Sequence, residues 1–201
     1  MTDLWTYEAE ARAAGFSLIC GVDEAGAGPL MGPVYAAAVI LPENCDLPGL
    51  NDSKKLTEKK REALFPLIQE QALAWFVASV SAREIDDTDI LSARMKAMQL
   101  AMDQLSLRPD FALIDGNRDH GRSFALTTPH RCIVKGDSLS ASIAAASILA
   151  KVSRDRFMVE QDRLYPGYGF ARHKGYGTAQ HREAIARLGP CPIHRRTFLK
   201  G

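Results

Sequence analysis

Long apolar runs are missing from this sequence. The longest, Val34 to Leu41 (VYAAAVIL), falls far short of the ~18 residues that signal a membrane span, so no membrane partner is expected. The first residues carry Asp3, Glu8 and Glu10 and lack the basic-then-apolar opening of a secretory leader. A cytoplasmic location is the expectation. Cysteine is scarce: Cys20, Cys45, Cys132 and Cys191 lie far apart, with no C-x-x-C and no Cys/His pair at zinc spacing. A disulfide framework is not expected in a reducing compartment. These thiols read as buried or incidental, with Cys20 and Cys132 in apolar, strand-like settings. Internal repeats and low-complexity stretches are also absent, which excludes solenoids and linker-like chains.

An excess of charge of one sign is missing too. The 25 Lys+Arg and 24 Asp+Glu leave a formal net charge of +1 over 201 residues. With 46% apolar and 24% charged residues, the composition suits a soluble globular protein, and the length suits one domain, or one domain with a small appendage. The balance conceals an asymmetry. Residues 1–150 hold 14 basic and 20 acidic side chains, and residues 151–201 hold 11 and 4. His173, His181 and His194 also fall in the basic end. An acidic body with a basic end suits a polyanion partner, and equally a solvated cationic face.

Apolar patterning predicts an α/β chain. Residues 4–15 read as a helix ended by Gly15. Strands are expected at Leu18–Val22 and Val34–Leu41, and the short glycine-rich link between them permits an antiparallel hairpin. Thr57 should cap a helix running to about Gln71, with Leu64, Leu67 and Ile68 on one face and Pro66 as a kink or break. Ala74–Val80 is a third strand. Asp89 should cap a helix through Leu105, whose Met95, Met98 and Met102 read as core. Phe111–Ile114 and Cys132–Val134 are further strands. A long helix covers 140–164, small and apolar first and charged later. A last amphipathic helix spans 178–188, closed by Gly189-Pro190.

Three apolar runs end in acids: Asp23-Glu24, Asp115 and Asp137. Carboxylates gathered at strand ends repel one another, and divalent cations offset the repulsion; hard oxygen ligands select Mg²⁺ or Mn²⁺. Exposed strand ends are also often acidic, and spacing alone does not show that these converge. Gly26-Ala27-Gly28-Pro29-Leu30-Met31-Gly32 misses the G-x-G-x-x-G spacing by one residue and is followed by a β-like run, which argues against a dinucleotide fold. It fits a plain tight turn as well as a loop whose backbone approaches a ligand. Asp52-Ser53-Lys54-Lys55 sets two ammonium groups beside a helix start, as a phosphate contact or an ordinary charged loop. Tyr165 to Phe170 and His173 to Gly177 interleave aromatic, glycine and basic residues, a mixture suited to stacking on sugars or bases.

These stretches together resemble the ribonuclease HII family. The matching segments are GVDEAGAGPLMGPV (21–34), NDSKKL (51–56), LIDGN (113–117), VKGDSLSASIAAASILAKVSRD (134–155), YPGYGF (165–170) and HKGYGT (173–178). They run in family order over nearly the whole chain. The resemblance implies a ribonuclease H-like fold: a five-stranded mixed sheet flanked by helices over 1–164, with a C-terminal helical extension over 165–201. It implies endonucleolytic cleavage of RNA in RNA–DNA hybrids and on the 5′ side of ribonucleotides embedded in duplex DNA. The products would carry 3′-hydroxyl and 5′-phosphate ends, and Mn²⁺ or Mg²⁺ would be the cofactor.

The resemblance also assigns roles. Asp23, Glu24, Asp115 and Asp137 are the implied metal-binding and catalytic carboxylates. Gly26, Ala27 and Gly28 form the implied loop at the ribonucleotide, Tyr176 the implied stacking residue, and Lys54 and Lys55 the implied phosphate contacts. The family usually has Gly-Arg-Gly in this loop, and Ala27 stands at the middle position. A monomer is expected. Another nuclease or resolvase of the same fold, or a non-catalytic hybrid-binding module, are the alternatives; the intact acids argue against the last.

Overall fold

The structure, a computed structural model, describes residues 4–43, 45–51 and 53–199; Asp3 and Asp52 lie outside them. Five strands form one mixed sheet: β1 (Ile19–Ala25), β2 (Val34–Ile40), β3 (Ala74–Val80), β4 (Phe111–Asp115) and β5 (His130–Ile133), in the spatial order β3-β2-β1-β4-β5. The β1/β2 hairpin and the β2/β3 pair are antiparallel, while β1/β4 and β4/β5 are parallel. The short glycine-rich link therefore makes the antiparallel turn that its length demands.

Among the described residues, seven α-helices accompany the sheet: α1 (Thr6–Ala13), α2 (Glu58–Gln71), α3 (Ala82–Asp87), α4 (Ile90–Asp103), α5 (Ala141–Leu164), α6 (Phe170–His173) and α7 (Ala179–Leu188). The short α3 and α6 carry no long apolar period and were not expected. Side-chain caps set the starts of five helices. Thr57, Ser81, Asp89, Ser140 and Thr178 each accept a hydrogen bond from a backbone N–H of the first turn, a contact typically worth about 1 kcal/mol. Pro66 does not split α2, which runs unbroken across it. Leu64, Phe65 and Ile68 are its buried residues, whereas Leu67 is exposed, so the expected apolar face is shifted by one position.

Both faces of the central strands are covered, which explains why β2 reads as a continuous apolar run. Its side chains alternate between two cores. Ala36, Ala38 and Ile40 pack with Met95, Met98 and Met102 of α4, as the methionine spacing predicts. Ala37 and Val39 pack with α5 and α2 on the other side. Small residues at Ala141, Ala145 and Ala146 bring α5 close to the sheet. The approach is tightest at Gly21 of β1, where an added Cβ would overlap the Ser142–Ile143 backbone. Residues beyond α5 gather on their own cluster of Met31, Met158, Tyr168, Phe170, Ala184 and Cys191. Among the described residues, no helix is long and apolar enough to cross a membrane.

Two expectations from charge are corrected. His173, His181 and His194 are buried rather than offered to a polyanion. They stack and hydrogen-bond among themselves and to backbone groups. Arg154 and Arg195, two cations of the basic end, are 1% and 0% exposed. The surface charge of that end is therefore smaller than the sequence count suggests.

Candidate active site

The acids are placed by strand parity. Cys20 and Val22 of β1 face the α4 core, so Gly21 and Asp23 point to the α5 side. In β4, Ala112 and Ile114 face the α4 core and Leu113 packs with Ile143 of α5, so Asp115 shares Asp23's face. Parallel pairing sets Val22 opposite Ile114, which makes the two aspartates neighbours. Asp137 arrives from the 3₁₀ turn Gly136–Ser138 that follows β5. One carboxylate oxygen from each of Asp23, Asp115 and Asp137 lies within 4.8 Å of the others. Backbone groups fix the cluster: Gly136 N–H donates to Asp115 Oδ1 at 2.7 Å, and Glu24 N–H donates to Asp23 Oδ1 at 2.7 Å.

Glu24 is not part of this group of three. Being next to Asp23 in a strand, it turns the other way, toward α4, where Arg94 Nη2 meets its Oε1 at 2.6 Å. The other oxygen, Oε2, is buried without a hydrogen-bond partner. The strand also runs through these acids to Ala25 rather than stopping before them, so extended backbone holds both side chains.

Burial and mutual repulsion act together on these carboxylates. Asp23 has its pKa raised well above the usual carboxylate range, by burial first and then by Glu24 and Asp115. Glu24 is raised by burial, with Arg94 opposing. Lys54 reaches Asp137 Oδ2 at 3.4 Å. Burial would lower its pKa, but Asp137, Asp23 and Asp115 outweigh that and raise it. Three clustered carboxylates fit a hard divalent cation.

The cluster opens into a cleft of about 200 Å³ whose rim includes Gly26, Ala27, Gly28, Lys54 and Tyr176. Gly26 requires its glycine: φ is +95°, and an added Cβ would collide with the Arg154 side chain. Gly28 differs, because a Cβ there would meet nothing within 4 Å. Tyr176 is 47% exposed at the rim. Lys55 is exposed and does not line the cleft, so only one of the two expected phosphate contacts faces it.

The sequence reading missed Ser147, Lys151 and Arg154, which line the cleft from α5. Their signal was present: Ser147, Lys151 and Arg154 stand at i, i+4 and i+7, one face of the helix, starting within its apolar first half. Lys151 donates to Asp155 at 2.6 Å, and burial lowers its pKa. Arg94 had no such signal, because nothing near it in sequence announces a partner seventy residues earlier.

Comparison with known proteins agrees with this geometry. The family model described as Ribonuclease HII matches residues 20–200. Ribonuclease HII of Geobacter metallireducens is 56% identical over 97% of this chain and 90% of its own length. Ribonuclease HII of Geobacter sp. strain M21 is 57% identical over 98% of this chain and 84% of its own. Among solved structures, the ribonuclease H2 of Pyrococcus horikoshii superposes with a TM-score of 0.74 at 28% identity, covering 90% of this chain and 93% of that one. With the acid cluster, the glycine loop and the mixed sheet in place, the chain belongs to the ribonuclease HII family.

Proposed function

We propose that this chain hydrolyses RNA within RNA–DNA hybrids and cuts on the 5′ side of single ribonucleotides in duplex DNA. The products carry 3′-hydroxyl and 5′-phosphate ends. The observation that carries this reading is the convergence of Asp23, Asp115 and Asp137 beside an open glycine loop.

Asp23, Asp115 and Asp137 would hold Mg²⁺ or Mn²⁺, with Glu24 contributing once it leaves Arg94. When bound, such ions supply an activated water and stabilise the leaving 3′-oxygen. The protein's own groups do the rest. Lys54 offers an ammonium to a backbone phosphate at the cleft mouth. The backbone N–H groups of the Gly26–Gly28 loop would sense the 2′-hydroxyl, the group that distinguishes RNA from DNA. Tyr176 presents an exposed ring for stacking on the adjoining sugar. In this reading, residues 165–199 form an extension that completes the recognition side of a catalytic body ending at Leu164. A monomer is the proposed working form. The absence of a membrane-length helix among the described residues is compatible with work in the cytoplasm.

The test is incubation of a labelled duplex containing one ribonucleotide with Mg²⁺ or Mn²⁺, with Ca²⁺, and with chelator. Cleavage in the first arm alone, with binding retained in Ca²⁺, is expected. Tight binding without turnover in any metal would overturn the enzymatic reading and leave a hybrid-binding module.

A further inference from the structure

The glycine loop owes its orientation to a side chain from the far end of the chain. Arg195 is 0% exposed and spends its guanidinium on four loop carbonyls. Its Nη2 donates to Gly26 O at 2.6 Å, and Nη1 to Ala27 O and Pro29 O, each at 2.9 Å. Its Nε donates to Gly32 O at 3.0 Å. The carbonyl of one residue and the N–H of the next point opposite ways in a trans peptide plane, and there is no cis bond among the described residues. Turning the Gly26 and Ala27 carbonyls toward Arg195 therefore turns the Ala27 and Gly28 N–H groups away from it. Neither N–H has a hydrogen-bond partner among the described residues.

We infer that Arg195 is the positioning residue of the substrate-reading loop, holding two backbone N–H groups outward to receive the ribonucleotide. The inference rests on the proposed activity and deepens it. A planar fork of five donors suits this task where a lysine, with one rotatable ammonium, does not. The arginine is itself held from outside. Asp86 accepts from the backbone N–H groups of Arg196 and Thr197 at 2.7 and 2.9 Å and from the Thr197 hydroxyl at 2.5 Å. Phe198 lies under the guanidinium, 5.1 Å from its carbon to the ring centroid.

The experiment measures affinity in Ca²⁺ for two duplexes that differ by one 2′-hydroxyl, together with Mn²⁺ binding by electron paramagnetic resonance and a thermal melt. For Arg195→Lys, preference for the ribonucleotide duplex over all-DNA should fall about tenfold, roughly the loss of one good polar contact. All-DNA affinity and Mn²⁺ binding should stay at wild-type levels. Asp86→Ala, which loosens the same segment from its surface, should lose preference by about threefold and decides the matter if Arg195→Lys does not fold. Wild-type preference in a folded Arg195→Lys, or in Asp86→Ala when that variant decides, overturns the inference alone. A wild-type protein with no preference at all overturns the functional reading on which it rests.

Discussion

The acid cluster and the glycine loop face the same cleft but are built by opposite means. The cluster is made by the sheet: strand parity and parallel pairing put Asp23 beside Asp115, and backbone N–H groups fix their oxygens. The loop has no ladder to hold it. Its shape comes from the buried cations Arg195 and Arg154, which contribute carbonyl contacts and packing from more than a hundred residues away. In the proposed reading, one half holds repulsion that a divalent metal would relieve, and the other holds unpaired N–H groups that a substrate would satisfy. Chemistry and recognition should therefore separate under mutation.

The largest separation is expected from Asp23→Asn and Asp115→Asn. If these carboxylates hold the metal as proposed, removing one charge should lower cleavage by at least about a hundredfold, while duplex binding survives. Because Asp23 is buried among like charges, Asp23→Asn should also raise the melting temperature of the metal-free protein, a trade of function against stability. Cleavage assays and thermal melts check both halves.

A smaller effect is expected on the recognition side. Gly28→Ala should fold normally, since its Cβ meets nothing within 4 Å, yet weaken ribonucleotide binding by about tenfold if substrate occupies that space. Gly26→Ala should lose stability instead, because its φ of +95° and Arg154 both oppose a side chain. Paired melts and binding curves separate the two glycines.

The extension should also respond to acid. His181 Nδ1 bonds the Tyr176 carbonyl at 2.9 Å, so its Nε2 accepts from His194 Nε2 at 3.1 Å. The His194 Nδ1 then accepts from Cys191 N–H at 2.9 Å. This relay needs both rings neutral. Burial, then His181, pushes His194 from 6.5 down to about 4. The unfolded chain thus takes up a proton between those values that the folded chain refuses. Stability from this group is complete above pH 6.5 and falls as pH drops toward 4. Melting temperatures at pH 7.5 and 5 should show the loss, and His194→Gln should lessen its pH dependence.

The smallest effect concerns Ala27, which stands where the family usually has arginine. Ala27→Arg should tighten duplex binding a few-fold and steepen the log–log salt dependence by about 0.9, the value of one added phosphate contact. An unchanged slope would mean that the side chain at this position does not reach a phosphate.

Much of the cluster was legible because an apolar run ending in an acid is a local pattern. Asp23, Asp115 and Asp137 each close such a run, and the caps at Thr57 and Asp89 are equally local. The departure of Glu24 was legible in principle from period-two alternation, but its partner Arg94 was not. The burial of Arg154, Arg195 and the three histidines was illegible for another reason. Sequence gives the sign of a charge but not the carbonyls that will surround it, and those come from segments such as 26–32 that meet the C-terminal region only in the fold.

The central claim is that one cleft joins metal-dependent hydrolysis to recognition of a single 2′-hydroxyl. Its most direct test maps the cut in an end-labelled duplex with one embedded ribonucleotide, in Mn²⁺, beside the all-DNA duplex. A single cut on the 5′ side of the ribonucleotide, with the all-DNA duplex intact, is predicted. Cleavage of both duplexes alike, or a cut elsewhere, would contradict it.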